Sequence, residues 1–174
     1  MTRLKSGART NILFAVHYVF LFLLSAVSFL GKEPYIKPDL MLAAAAVCPL
    51  FCEKKSSALF ALAAGFLTDI SVTPPYHFSP VLFLACAYFV PRFAAVFSRI
   101  NVFTALVCSV PLLLARALTG TVYLMSHYEG TSLSAVLKRS VMPELLANLA
   151  AVAAVYLIAS ALIRLFKLKR AALF

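Results

Sequence analysis

Residues 38–80 decide the fold of this chain: PDLMLAAAAVCPLFCEKKSSALFALAAGFLTDISVTPPYHFSP. They contain two short apolar segments that are joined by the polar turn EKKSS, and the second segment ends in a carboxylate, Asp69. A charged side chain at membrane depth is costly, and it persists mostly where it faces the interior of a helix bundle, a cavity or a partner. We therefore expect function to lie near Asp69.

The composition of the whole chain is that of an integral membrane protein. Hydrophobic residues make up 63% of the 174 residues and charged residues 13%, about half the charged share of an average soluble domain. The sequence predicts an all-α integral membrane protein, in which residues 1–174 form one compact bundle of about six transmembrane helices. The predicted spans cover residues 11–30, 39–52, 56–71, 80–97, 100–125 and 141–166.

The second and third segments are short for membrane spans. As a helix, residues 39–52 would extend for only about 21 Å, whereas the hydrocarbon core of a bilayer is about 30 Å thick. They are either tilted spans or a re-entrant pair that enters and leaves on one side. Because they come as a pair, both interpretations give the same sidedness for the rest of the chain.

The basic residues predict the orientation. Of the 16 lysines and arginines, eleven fall on one side of the predicted spans and four on the other, while Arg116 lies within a span. The positive-inside rule then places both termini in the cytoplasm of a multi-pass protein of the bacterial cytoplasmic membrane. The net charge of +10 is spread over short connections and termini, which favours contact with anionic lipid headgroups over nucleic acid.

Four charged residues are predicted to meet near the outer side of this bundle. Asp39 begins the second segment, Asp69 ends the third, Glu144 begins the sixth, and Arg116 lies in the outer part of the fifth. Our hypothesis is that Arg116 pairs with Asp69 or Glu144 in a polar cluster or partner contact. Alternatively, Asp39 and Glu144 occupy helix first turns, Asp69 marks the water boundary, and Arg116 reaches the headgroups.

Small residues predict where the third segment packs against another helix. Ala58, Ala61, Gly65 and Asp69 share one helical stripe, on which small side chains allow a close approach, and Ala61 and Gly65 are the candidate packing residues. On the sixth segment, Glu144 shares a face with Asn148. We expect Asp69 to face another helix, and we expect the faces that carry Arg116 and Glu144 to point into the bundle.

Catalytic signatures are absent from the sequence, which contains no phosphate-binding glycine loop, nucleophile elbow or HExxH motif. The four cysteines lie in apolar segments, and the three histidines have no metal-ligand spacing. We therefore predict that the protein is not an enzyme and has no cofactor or metal.

The residues Pro38-Asp39-Leu40, a short polar hairpin and then Gly65-Phe66-Leu67-Thr68-Asp69 resemble MreD, the bacterial rod shape-determining membrane protein family. The resemblance implies a non-enzymatic scaffold of the cell-wall elongation machinery that helps maintain cell shape and organise peptidoglycan synthesis. Its implied partners are the single-span protein MreC, the glycosyltransferase RodA, a class B penicillin-binding protein and MreB filaments.

The main alternative is the substrate-binding component of an energy-coupling-factor vitamin or micronutrient transporter. MreD looks related to that fold, which is also a small six-span bundle with internal termini, so architecture does not separate the two. Such components commonly carry small residues at regular spacing on the first span, where the transport subunit docks. Here the first span is bulky, FAVHYVFLFLL, which favours the shape-protein interpretation.

Overall fold

The computed structural model describes residues 2–30, 38–71, 78–97, 99–127 and 133–166, and within these ranges it is helical without any β-strand. The all-α prediction is confirmed for this part of the chain. A 3-10 turn, Cys48–Leu50, extends α2, and a π-helical segment, Leu137–Val141, joins α6 to α7. The helices are α1 Thr2–Leu30, α2 Leu40–Val47, α3 Lys54–Ser71, α4 Ser79–Ala94, α5 Val102–His127, α6 Leu133–Val136 and α7 Met142–Leu165.

Helix α2 lies at the centre of the molecule. Every residue from Met41 to Cys52 is buried, and α2 packs against α1, α3, α4, α5 and α7. The run of alanines at positions 43–46 lets these neighbours approach closely, because alanine adds little bulk to the helix surface. The first short apolar segment of residues 38–80 is therefore the core around which the longer helices pack.

Local sequence explains why α2 is short. Asp39 precedes it as an N-cap, with its side chain accepting a hydrogen bond from the backbone N–H of Leu42 at 2.9 Å. Pro49 has no N–H to donate to the carbonyl of Ala45, so the α-helix gives way to the 3-10 turn. Together, α2 and the turn extend for about 18 Å, less than the roughly 30 Å of a bilayer core.

The outer surface carries large apolar side chains while much of the interior is built from alanine. Exposed side chains include Ile12 and Phe20 on α1, Phe66 on α3, and Leu118 and Val122 on α5. Buried alanines occur on the inner faces of α2, α3, α4, α5 and α7. In water, an apolar surface of this extent would be a liability.

Two helical segments are long and apolar enough to cross a membrane: Val102–Val122 within α5, and α7. The other apolar helical segments in the described ranges are shorter: Arg9–Leu24, Leu40–Leu50 and Ser79–Ala94. Within the described ranges, two helices thus support a membrane-spanning chain. Six spans and cytoplasmic termini stay predictions.

Candidate functional site

Asp39 connects three helices at the N-terminal end of α2. Its Oδ1 accepts the capping hydrogen bond from Leu42, and its Oδ2 lies 3.9 Å from Nη2 of Arg116 on α5. Its backbone N–H donates to Oδ1 of Asn148 on α7 at 2.6 Å. Asp39 therefore caps the N-terminus of central helix α2 and contacts two neighbouring helices, α5 and α7.

The Asp39 site lies well inside the bundle along the helix axes. Arg116 comes fourteen residues after the start of α5 and eleven before its end, which corresponds to about 21 Å and about 17 Å of helix. The side chains of Arg116 and Asp39 are only 16% and 18% exposed. Ionic attraction is stronger at such a depth than at the surface, because less water screens it.

Glu144 belongs to the same group of charges. It stands in the first turn of α7, where the helix macrodipole favours a carboxylate, and it interacts electrostatically with both Arg116 and Asp39. The cation Arg116 thus interacts with two carboxylates, those of Asp39 and Glu144. The structure brings together Asp39, Arg116 and Glu144, and it adds Asn148, which the sequence had placed on the same helical face as Glu144.

The structure pairs Arg116 with Asp39, which the hypothesis did not name as its partner. We expected Arg116 to pair with Asp69 or Glu144, and its electrostatic interaction with Glu144 accompanies the ion pair with Asp39. Asp69 lies in the last turn of α3, where its Oδ1 is buried without a hydrogen-bond partner among the described residues. No contact described for Asp69 joins it to the other three residues.

The two candidate packing residues lie on the face of α3 that is buried in the bundle. Ala61 and Gly65 are both buried, and α3 packs extensively against α4. A Cβ atom on Gly65 would lie 2.6 Å from the backbone nitrogen of Pro80 and 2.9 Å from the carbonyl carbon of Ser79, with Pro80 Cα closer still. The backbone at the start of α4 therefore packs directly on α3 at Gly65.

The chemistry available at this site is electrostatic and structural. Within the described residues, no group of three or more histidine, cysteine, aspartate or glutamate side chains is placed to hold a metal ion. The four cysteines are free thiols buried in the bundle, and Cys86 lies close enough to Asp39 to interact with its charge. Comparison of the chain with protein-family models, with curated proteins and with solved structures found no match.

Proposed function

We propose that this chain is a membrane-embedded, non-enzymatic scaffold of the bacterial cell-wall elongation complex, as its resemblance to MreD implies. Embedding in a bilayer is supported by the two long apolar helices and by the large apolar side chains on the outside of the bundle. Lipid tails are as apolar as these side chains, so a bilayer removes the cost of exposing them.

The proposal depends mainly on one observation: residues from both halves of the motif that resembles MreD, Pro38-Asp39-Leu40 and Gly65 to Asp69, have structural roles. Asp39 of the first half caps the central helix and reaches α5 and α7, while Gly65 of the second half seats the start of α4. Residues that fix helix positions suit a protein whose role is to present a defined surface to partners. These structural roles explain the presence of Asp39 and Gly65 in the motif without any catalytic step.

The proposed partners follow from that role. A single-span MreC-like protein would pack against the apolar outer faces of the helices, and through it the chain would join RodA, a class B penicillin-binding protein and MreB. Helix association within a bilayer relies on close packing between complementary faces. Partner choice would therefore depend on the shape of the bundle, which the Asp39 and Gly65 contacts hold in place.

One observation favours the transporter component as a second candidate. Helix α2 begins inside the bundle beside Arg116, Glu144 and Asn148. Helix ends that meet polar groups within a membrane protein are common at the substrate sites of transporters. In that case the same polar group would bind a small polar molecule from the outer side.

Purification of the tagged protein from its native membrane in a mild detergent, with mass spectrometry of the co-purifying proteins, distinguishes the two candidates. We expect MreC, RodA or a penicillin-binding protein to be enriched over a matched purification of an unrelated tagged membrane protein of similar size. Enrichment of paired ATPases with a membrane-embedded coupling subunit would reject the scaffold and favour the transporter component. Enrichment of neither group would also count against the scaffold.

A further inference from the structure

A groove lies between α3 and α4, at the end of the bundle where α3 begins and α4 ends. Its volume is about 460 Å³. Its walls are mainly apolar and aromatic, and two basic side chains, Lys54 and Arg92, stand at one end of it. The apolar part of the lining consists of Ala58, Leu84, Ala85, Ala87, Phe89 and Pro91.

The two basic groups come from opposite helices. Lys54 is the first residue of α3 and Arg92 lies in the last turn of α4, and both side chains are exposed. The guanidinium of Arg92 lies over the ring of Tyr88, with its central carbon 3.9 Å from the ring centroid. This cation–π contact holds the guanidinium at the groove.

The charge at the start of α3 is unusual for a helix. The first turn of a helix favours acidic residues because the macrodipole makes that end positive, yet α3 opens with Lys54 and Lys55 and has no acidic residue in its first turn. Glu53, which precedes the helix, is exposed and offsets part of this charge. With Arg92 included, the mouth of the groove keeps a net positive charge that an external anion would neutralise.

We propose that the groove binds an anionic phospholipid of the cytoplasmic leaflet. Its phosphate would lie between Lys54 and Arg92, and an acyl chain would lie along Ala58, Leu84 and Phe89. The inference rests on the membrane embedding in the proposed function and on the predicted orientation, which puts this end of the bundle at the cytoplasmic face. That leaflet carries the acidic lipids that basic groups attract.

The size of the groove favours a lipid over a partner helix. A helix about 10 Å in diameter fills on the order of 100 Å³ per residue, so the groove has room for only about one helical turn. A single acyl chain is thinner and can follow the apolar walls into the bilayer. The pairing of charge at one end with apolar lining along the rest matches an amphipathic ligand of that shape.

The test uses the full-length protein reconstituted in vesicles of phosphatidylcholine with phosphatidylglycerol, then extracted in a mild detergent for native mass spectrometry. We expect the wild-type protein to retain phosphatidylglycerol in preference to phosphatidylcholine. Each of the variants Lys54→Gln and Arg92→Gln should reduce this retention about fivefold, the effect of one basic group near an anionic lipid. Tyr88→Leu keeps the groove apolar, and it should lower the selectivity by releasing the guanidinium.

Arg99→Gln and Arg164→Gln are the matched controls, because each removes one exposed positive charge from the predicted cytoplasmic side of the bundle at a residue that does not line the groove. They should retain the lipid as the wild type does. Equal retention of both lipids by the wild type would overturn the proposal, and so would equal losses in controls and groove variants. If the protein remains in carbonate-washed membranes but shows no lipid preference, the lipid site alone is refuted. If carbonate releases the protein from the membranes, the membrane scaffold is refuted as well.

Discussion

Oδ2 of Asp39 lies 3.9 Å from Nη2 of Arg116, and the pair joins the end of the central helix α2 to the middle of α5. Both side chains are largely withdrawn from water. Removal of one partner therefore leaves the other with less compensation at a poorly solvated position, which usually costs more than the pair itself contributed. The stability of the bundle should depend on Asp39 more than on surface charges.

Replacing Asp39 by alanine removes both the helix cap and a carboxylate that pairs with Arg116. We expect Asp39→Ala to lower the free energy of unfolding by about 2–4 kcal/mol. Asp39→Asn should cost less, because asparagine also caps helices well. Unfolding can be followed with a thiol-reactive fluorogenic dye, since all four cysteines are buried in the folded protein; equal losses in the two variants would contradict the assigned cap.

Asn148 is expected to stabilise the protein through its side-chain oxygen. Asn148→Ala leaves the backbone N–H of Asp39 without its acceptor, which should cost about 1–3 kcal/mol. Ser160→Ala is the control on the same helix, because the buried Oγ of Ser160 has no hydrogen-bond partner within the described residues. The same dye assay should show a lower melting temperature for the first variant and little change for the second.

Gly65→Ala should disrupt the junction between α3 and α4. The added methyl group would overlap the backbone of Ser79 and Pro80, and backbone atoms can yield only if one helix moves. We expect a loss of about 1–3 kcal/mol, the usual range for overpacking. Ala63→Leu adds a larger group on the exposed face of the same helix, and a comparable loss in this control would mean that the close approach at Gly65 is not the cause.

The predicted orientation can be tested with single introduced cysteines. Lys55 and Ser126 are exposed, near the ends of α3 and α5 that should lie on opposite faces of the membrane, and the native cysteines are buried. A membrane-impermeant maleimide should label Ser126→Cys in intact spheroplasts and Lys55→Cys only after permeabilisation. Labelling of both variants before permeabilisation would rule out the predicted topology.

The sequence was sufficient to predict the helical class and the presence of a short apolar segment after Pro38. It could not show that this segment is the centre of the bundle, because an apolar run of alanines reveals that all its faces can be buried but not which helices bury them. One alternative placed Asp39 in the first turn of a helix, whereas the structure places it one residue earlier, as the N-cap of α2. The structure shows the cap and the ion pair on the same carboxylate.

Helical spacing in the sequence could not predict the ion pair between Arg116 and Asp39. Periodicity identifies which residues share a face of one helix, but it does not fix how that helix is rotated against its neighbours. In the structure α3 packs on α4, and α4 packs on α5. Central α2 packs directly on α5, and this contact brings Asp39 to Arg116. The groove at Lys54 and Arg92 was missed for the same reason, although the basic start of α3 was a visible signal.

The hydrogen bond from Asp39 to Asn148 joins residues that are 109 positions apart. During synthesis, α2 emerges long before α7, so the N–H of Asp39 has no native acceptor until α7 has been made. The contacts around the start of α2 are therefore completed only when α7 is in place. A nascent chain that stops before Asn148 would present an unfinished helix end, a feature that membrane quality-control proteases could use to recognise incomplete copies.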